Sequence, residues 1–132
     1  MTTSLYLLDT NVCIDFLLGR SAPLARRMGD ALDALSVSAI TAAELRAGNR
    51  TSSDAAGDGR RVDAFLSLLN VAPFDDAASR TYAQVAAQVG IRRNSFDRLI
   101  GTQALAFGMV LVTRNQKDFA AIEGLKMEDW TL

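Results

Sequence analysis

Four acids stand where carboxylates could do chemistry: Asp9, Glu44, Asp97 and Asp118. Asp9 ends the apolar run Leu5-Tyr6-Leu7-Leu8 and is followed by Thr10 and Asn11 before apolar sequence resumes at Val12-Cys13-Ile14. Glu44 lies just past the strand-like "LSVSAIT" (35–41), and Asp97 opens the helix-like segment that feeds "GMVLVT" (108–113). Asn115 and Asp118 follow that last run. Taken singly, each acid has a structural explanation. Asp9, Thr10 and Asn11 can cap a helix starting near residue 11. "TAAE" (41–44) reads as a capping box, with Thr41 as N-cap and Glu44 reaching back. Asp97 falls in a first turn after Asn94 or Ser95, and Asp118 lies three residues after an Asn cap. Such a cap contributes about 1 kcal/mol.

The joint pattern asks for more. Two carboxylates about 4 Å apart repel by roughly 4 kcal/mol at an effective dielectric of about 20, several times a cap's contribution. Acids that converge must take up protons or hold a cation. An all-oxygen donor set suits Mg²⁺ or Mn²⁺ rather than zinc, and such ions activate water and steady an in-line attack on phosphate. Arginine is the matching phosphate grip; the chain has twelve Arg and two Lys, with Arg92, Arg93, Arg98 and Arg114 near the acids in sequence. There is no histidine, which removes Ser/His/Asp and Cys/His catalysis and any His-ligated zinc site. The net charge of −1 does not favour a generic nucleic-acid binder.

These residues need elements to position them. The 132 residues, 49% hydrophobic, are expected to form one domain spanning 1–132. Strand-like runs occupy 4–9, 35–41, 70–74 and 108–113. The first and last are nearly continuous apolar stretches, as in parallel strands buried on both faces. Helical spacing marks 11–18, 23–34, 41–50, 60–69, 75–89 and 95–107. The alternation predicts an α/β fold with a mostly parallel central sheet. In such a sheet, ligands bind past the carboxyl ends of the strands, where Asp9, Glu44, Asn115 and Asp118 fall. Gly101 and Ala104 follow Asp97 along its helix, and their small size is expected to let Asp97 tuck against the sheet. The segment 48–61, rich in Gly, Ser and Asp, is expected to be a mobile loop. Cys13, the single cysteine, reads as a small core residue and suits a reducing cytosol. No secretion signal or membrane-spanning run is expected.

The segments "LLDTNVCID", "SAITAAELRAG", "NSFDRLIGTQALAFGMVLVTRNQKDF" and "IEGLKMEDW" resemble, in order, the signature segments of PIN-domain ribonucleases, most closely the VapC-type toxins of toxin–antitoxin pairs. The resemblance runs from Leu5 to Trp130. It implies a three-layer α/β/α sandwich around a mostly parallel sheet and Mg²⁺- or Mn²⁺-dependent endonucleolytic cleavage of RNA. The family's acids then fall on Asp9, Glu44 and Asp97. Many relatives carry Asp where this chain has Asn115; others carry Asn there and an acid at the place of Asp118. Either residue therefore completes the site, Asn115 through its carbonyl or through water. Thr10 and Thr113 resemble the hydroxyl residues that support such acids, with Asn11 starting the next helix. "IRRNSFD" departs from the Gly-Pro-containing stretch of many relatives, and Arg92-Arg93 there either grip substrate or hydrogen-bond a loop.

The implied substrate is a structured RNA, a tRNA or a ribosomal RNA loop. The implied partners are a second copy of the chain and a cognate antitoxin that blocks the site with a C-terminal segment, all in the cytoplasm and away from membranes. Two rivals stand beside this reading. A phosphatase of the haloacid dehalogenase type needs a D-x-D pair after strand one, and Asn11 breaks it. A degenerate PIN-like domain serving as a partner-binding scaffold gains from Asn115 but loses from the survival of all four acids.

Overall fold

The computed structural model describes residues 4–48 and 54–132. In chain order the elements are β1 (Tyr6–Leu8), α1 (Thr10–Leu17), α2 (Ala22–Asp30), β2 (Leu35–Ser38), α3 (Ala39–Gly48), α4 (Ala55–Ser67), β3 (Asn70–Ala72), α5 (Asp76–Val89), α6 (Asp97–Ala106), β4 (Val110–Val112) and β5 (Met127–Glu128). Short 3₁₀ turns cover Leu32–Ala34 and Gln116–Phe119. The five strands pair in the order β3-β2-β1-β4-β5, all parallel.

The strands are short, so burial rather than length selects them. Along β1, Leu7 and Leu8 are fully buried and join different apolar clusters; along β4, Leu111 and Val112 divide in the same way. Alternate side chains of a strand point to opposite faces. Both faces of the sheet are therefore covered, which requires the continuous apolar runs seen in the sequence. One cluster gathers Val12 and Cys13 of α1, Leu24 and Met28 of α2, Leu45 of α3 and Phe65 of α4. The other gathers Val85 of α5 with Ile100 and Ala104 of α6. The result is three layers: α1 to α4, the sheet, and α5 with α6.

The chain runs outward from β1 through β2 to β3, then returns to place β4 on the other side of β1. The strand order reverses between β1 and β4, and a crevice opens at such a switch point past the strands' carboxyl ends. Leu8 pairs with Val112 in register. Asp9 and Thr113 are thus the first residues beyond the sheet on adjacent strands, tied by Asp9 N–H donating to the Val112 carbonyl at 3.1 Å.

Three expectations are corrected. Thr41 does not cap a helix: α3 already starts at Ala39, where the Ser38 hydroxyl accepts from the Ile40 N–H at 3.0 Å. Segment 48–61 is not one loop. Its second half is helical, because Asp54 accepts from the Gly57 N–H at 3.1 Å and starts α4 at Ala55; residues 49–53 lie outside the described part. Gly101 serves a different neighbour from the one expected. A Cβ there would lie 2.6 Å from Ile122 Cδ1 and 3.0 Å from Phe119 Cδ1, so its small size admits the segment that carries Asp118. Strand β5 has no apolar run to announce it. No helix among the described residues is long and apolar enough to cross a membrane.

Candidate active site

Asp9 is placed by two constraints at once. It leaves β1 at the switch point, and its Oδ1 accepts the Val12 N–H at 2.7 Å as the N-cap of α1. It is 3% exposed. Burial pushes its carboxyl up from the ordinary 3.8 to about 6, although a hydrogen bond from Thr113 and the Val12 N–H act the other way; the charge of Asp97 raises it further and that of Arg114 lowers it. Thr113 is fully buried and its Oγ1 accepts the Asn115 N–H at 3.0 Å, so this one hydroxyl fixes both Asp9 and the loop that follows β4.

Asp97 opens α6 and is half-buried. Its backbone N–H donates to the Ser95 hydroxyl at 3.2 Å. Burial raises its carboxyl above the usual carboxylate range, a hydrogen bond with Ser95 and the charge of Arg92 lower it, and the charge of Asp118 raises it. Asp118 lies in the 3₁₀ turn, with its N–H on the Asn115 carbonyl at 3.0 Å and its own carbonyl accepting Arg92 Nη1 at 2.8 Å. The Asn115 side chain makes no capping bond to that turn, contrary to the cap read from the sequence.

Glu44 is held on the α3 side. The Thr10 hydroxyl donates to Glu44 Oε1 at 2.7 Å and lies 3.0 Å from the hydroxyl of the buried Thr41. Since the Thr10 proton goes to Glu44, Thr41 donates to Thr10. This relay explains why α3 carries Thr41 and Glu44 three residues apart, the spacing first read as a capping box.

The structure thus brings Asp97 within electrostatic reach of both Asp9 and Asp118, ties Glu44 to the residue after Asp9, and sets the hydroxyl of Thr10 on Glu44 and that of Thr113 on Asp9. Asn11 lies exposed in the first turn of α1, where Asp9 supplies the cap. Among the described residues, no three His, Cys, Asp or Glu side chains gather tightly enough to hold one ion by themselves.

The arginines separate by role. Arg98 is 8% exposed and donates from Nη1 to the carbonyls of Val89 (3.3 Å) and Gly90 (2.6 Å); it clasps the turn after α5. Arg92 and Arg93 are exposed, and Arg92 both holds the Asp118 backbone and faces Asp97. Arg114 pairs with Asp15, its Nε 2.6 Å from Oδ2, while its charge still reaches Asp9. Asp15 is a residue the sequence reading missed. Its signal was an acid inside the otherwise apolar "VCIDFL" of a short helix, since a buried carboxylate requires a partner.

A family model described as the PIN domain matches residues 6–125. The tRNA(fMet)-specific endonuclease VapC of Shigella flexneri is 29% identical over 129 residues, covering 96% of this chain and 98% of the relative. Ribonuclease VapC1 of Haemophilus influenzae is 31% identical over 132 residues, covering 96% and 98%. A crystal structure of DNA-bound VapBC from Salmonella typhimurium contains a chain that superposes with a TM-score of 0.89 at 29% identity, covering 97% of this chain and 99% of that one. With its acids at the β1/β4 switch point and these likenesses spanning almost its whole length, the chain belongs to the PIN-domain family, among relatives of the VapC ribonuclease type.

Proposed function

We propose that the chain is a divalent-metal-dependent endoribonuclease toxin that cleaves a structured RNA and is held inactive by a cognate antitoxin. The observation that carries this reading is the buried Asp9 at the end of β1 beside the switch point, within electrostatic reach of Asp97, which in turn feels Asp118. Carboxylates whose pKa burial and a like charge raise together are typical of functional sites. The relatives support the substrate class: they bear the names ribonuclease and tRNA(fMet)-specific endonuclease. The matched VapBC complex supports a protein partner.

The donor chemistry fits Mg²⁺ or Mn²⁺. All candidate ligands are oxygens: Asp9, Asp97, Glu44 and Asp118, with Asn115 through its amide carbonyl. Among the described residues no three acids gather tightly, and Mg²⁺ needs no such cage, since it keeps several waters and takes one or two carboxylates directly. When bound, such an ion activates water and neutralises charge on phosphate. The protein's own residues do the rest. Thr113 and the Val12 N–H lock the Asp9 rotamer, Thr10 fixes Glu44, and Arg92, Arg93 and Arg114 offer charge to the phosphates on either side of the acids.

One nuclease unit per chain, working in the cytoplasm, completes the reading. Homodimerisation is supported by exposed Val89 (39%), Ile91 (65%) and Phe96 (50%) around the α5–α6 connection. An antitoxin arginine would pair bidentately with the same acids. The scaffold reading is favoured by one observation, Asn115 standing where many relatives carry Asp, and one experiment separates the two. Purified protein is incubated with total RNA and Mg²⁺ or Mn²⁺, and fragment ends are mapped. A nuclease gives discrete ends that EDTA abolishes; a scaffold leaves the RNA intact in both.

A further inference from the structure

Asp15 lies in the middle of α1 and is 3% exposed, yet it is fully engaged. Arg114 reaches it from just past β4, with Nε 2.6 Å from Oδ2 and Nη2 3.4 Å from Oδ1. Arg20 reaches it from the turn after α1, with Nη1 3.2 Å from Oδ1. Burial alone would raise the Asp15 carboxyl, but hydrogen bonds and charge from Arg114 and Arg20 together outweigh it and hold the group below the usual carboxylate range.

A single arginine would suffice to neutralise a buried carboxylate, but here two converge, and neither is buried. The Arg20 side chain is 56% exposed and that of Arg114 42%. Each guanidinium carries five N–H donors, and the bonds to Asp15 occupy one on Arg20 and two on Arg114. With Ser21 and Thr131 they line an open cleft of about 280 Å³. Two cations over one anion leave the trio with one net positive charge.

The position of the trio gives its role. Arg114 is the residue after Thr113, which holds Asp9, and its charge acts on Asp9. Arg92 acts on Asp97 from the other side. Cations therefore stand by both acids: Arg92 at Asp97 and the Asp118 backbone, and Arg114 at Asp9, with Arg20 joined to Arg114 through Asp15. A polyanion held at the acids extends toward these cations.

We propose that Asp15 is a positioning residue which holds Arg20 and Arg114 as a second phosphate subsite, taking a backbone phosphate of the RNA strand bound at the acids. Planar guanidinium groups suit phosphate oxygens, and a carboxylate that fixes both in advance removes the ordering cost at the moment of binding. This rests on the nuclease reading above.

The test uses Arg20→Gln, a surface change, with Asp15→Asn as the buried counterpart and Arg46→Gln as an exposed control. Cleavage kinetics in Mg²⁺ are read beside binding of a labelled single-stranded RNA oligonucleotide in EDTA over a salt series. Arg20→Gln is expected to raise KM about fivefold or more with kcat within twofold, and to lower the slope of log affinity against log salt by about 0.7, the loss of one single-strand phosphate contact. Asp15→Asn is expected to raise KM as well, and Arg20→Lys to recover part of the salt slope. Unchanged KM and slope in folded Arg20→Gln, with an active parent protein, overturns the subsite and leaves Asp15 a structural clamp. A parent protein that cuts no RNA but binds it with an Arg20-dependent slope overturns the nuclease reading and keeps the subsite. Neither cleavage nor binding overturns both.

Discussion

Replacing Asp9 with Asn isolates the electrostatic cost of the site. The Asp9 carboxyl is raised from 3.8 to about 6, chiefly by burial. That rise of about two pH units, at 1.36 kcal/mol each, makes the ionised side chain cost the folded state about 3 kcal/mol. The sign follows from proton binding: between pH 4 and 6 the folded protein holds a proton that the unfolded chain has released. The penalty is absent below about pH 4 and complete above about pH 6. Asparagine caps a helix as well as aspartate does, so the bond to the Val12 N–H survives; the contact with Thr113 weakens. In EDTA at pH 7, Asp9→Asn should be more stable than the parent by about 1–3 kcal/mol, or about 4–10 °C in Tm for a domain of this size. The gap should close as pH falls to 4. Adding Mg²⁺ should raise the parent's Tm through binding to the folded state alone and leave the variant's unchanged. Thermal melts over pH 4–8, with EDTA or with Mg²⁺, measure all of this. A variant less stable than the parent at pH 7, or a gap that ignores pH, would refute the reasoning and leave Asp9 as a helix cap.

Other perturbations follow from the same geometry. Arg98→Ala should destabilise by about 2–3 kcal/mol in urea unfolding, since the carbonyls of Val89 and Gly90 lose a charged donor, while KM for RNA stays unchanged in the folded fraction; a raised KM at full stability would restore it as an RNA contact. Thr10→Val should cost about 1–3 kcal/mol, because the relay from Thr41 to Glu44 is broken, and should lower kcat; Thr10→Ser should retain most of both. Arg92→Gln removes a cation facing Asp97 and the bond that holds the Asp118 backbone. Its kcat/KM should fall, and an unchanged value would show that this loop neither steadies Asp118 nor meets substrate.

The architecture was legible where burial was symmetrical. β1 and β4 carry apolar side chains to both layers, so their composition announces parallel, fully covered strands. That pair in turn placed Asp9 and the Thr113 loop at a ligand-binding edge before any coordinates. The helix starts were less legible because several residues can cap. Ser38 won over Thr41 since β2 ends earlier than its apolar run, and Asp54 began α4 inside a stretch whose Gly and Ser content reads as loop. β5 is only two residues long and has no period to detect. Within the site, carboxylates are visible from type and spacing, but the residues that hold them depend on pairings far apart in sequence. Arg114 meets Asp15 across 99 positions and Thr10 meets Glu44 across 34. Nor does the sequence show that Arg98 donates to the carbonyls of Val89 and Gly90 and so closes the turn after α5.

The central claim is that Asp9 and Asp97 are catalytic rather than caps. Single-turnover cleavage of total RNA in Mg²⁺ by the parent protein, Asp9→Asn, Asp97→Asn and Arg46→Gln, each verified as folded, tests it most directly. The expected result is discrete cleavage by the parent and Arg46→Gln, and a loss of at least about 100-fold (about 2.7 kcal/mol of barrier) in both Asp variants. Cleavage by folded Asp9→Asn and Asp97→Asn at the parent's rate would contradict the account.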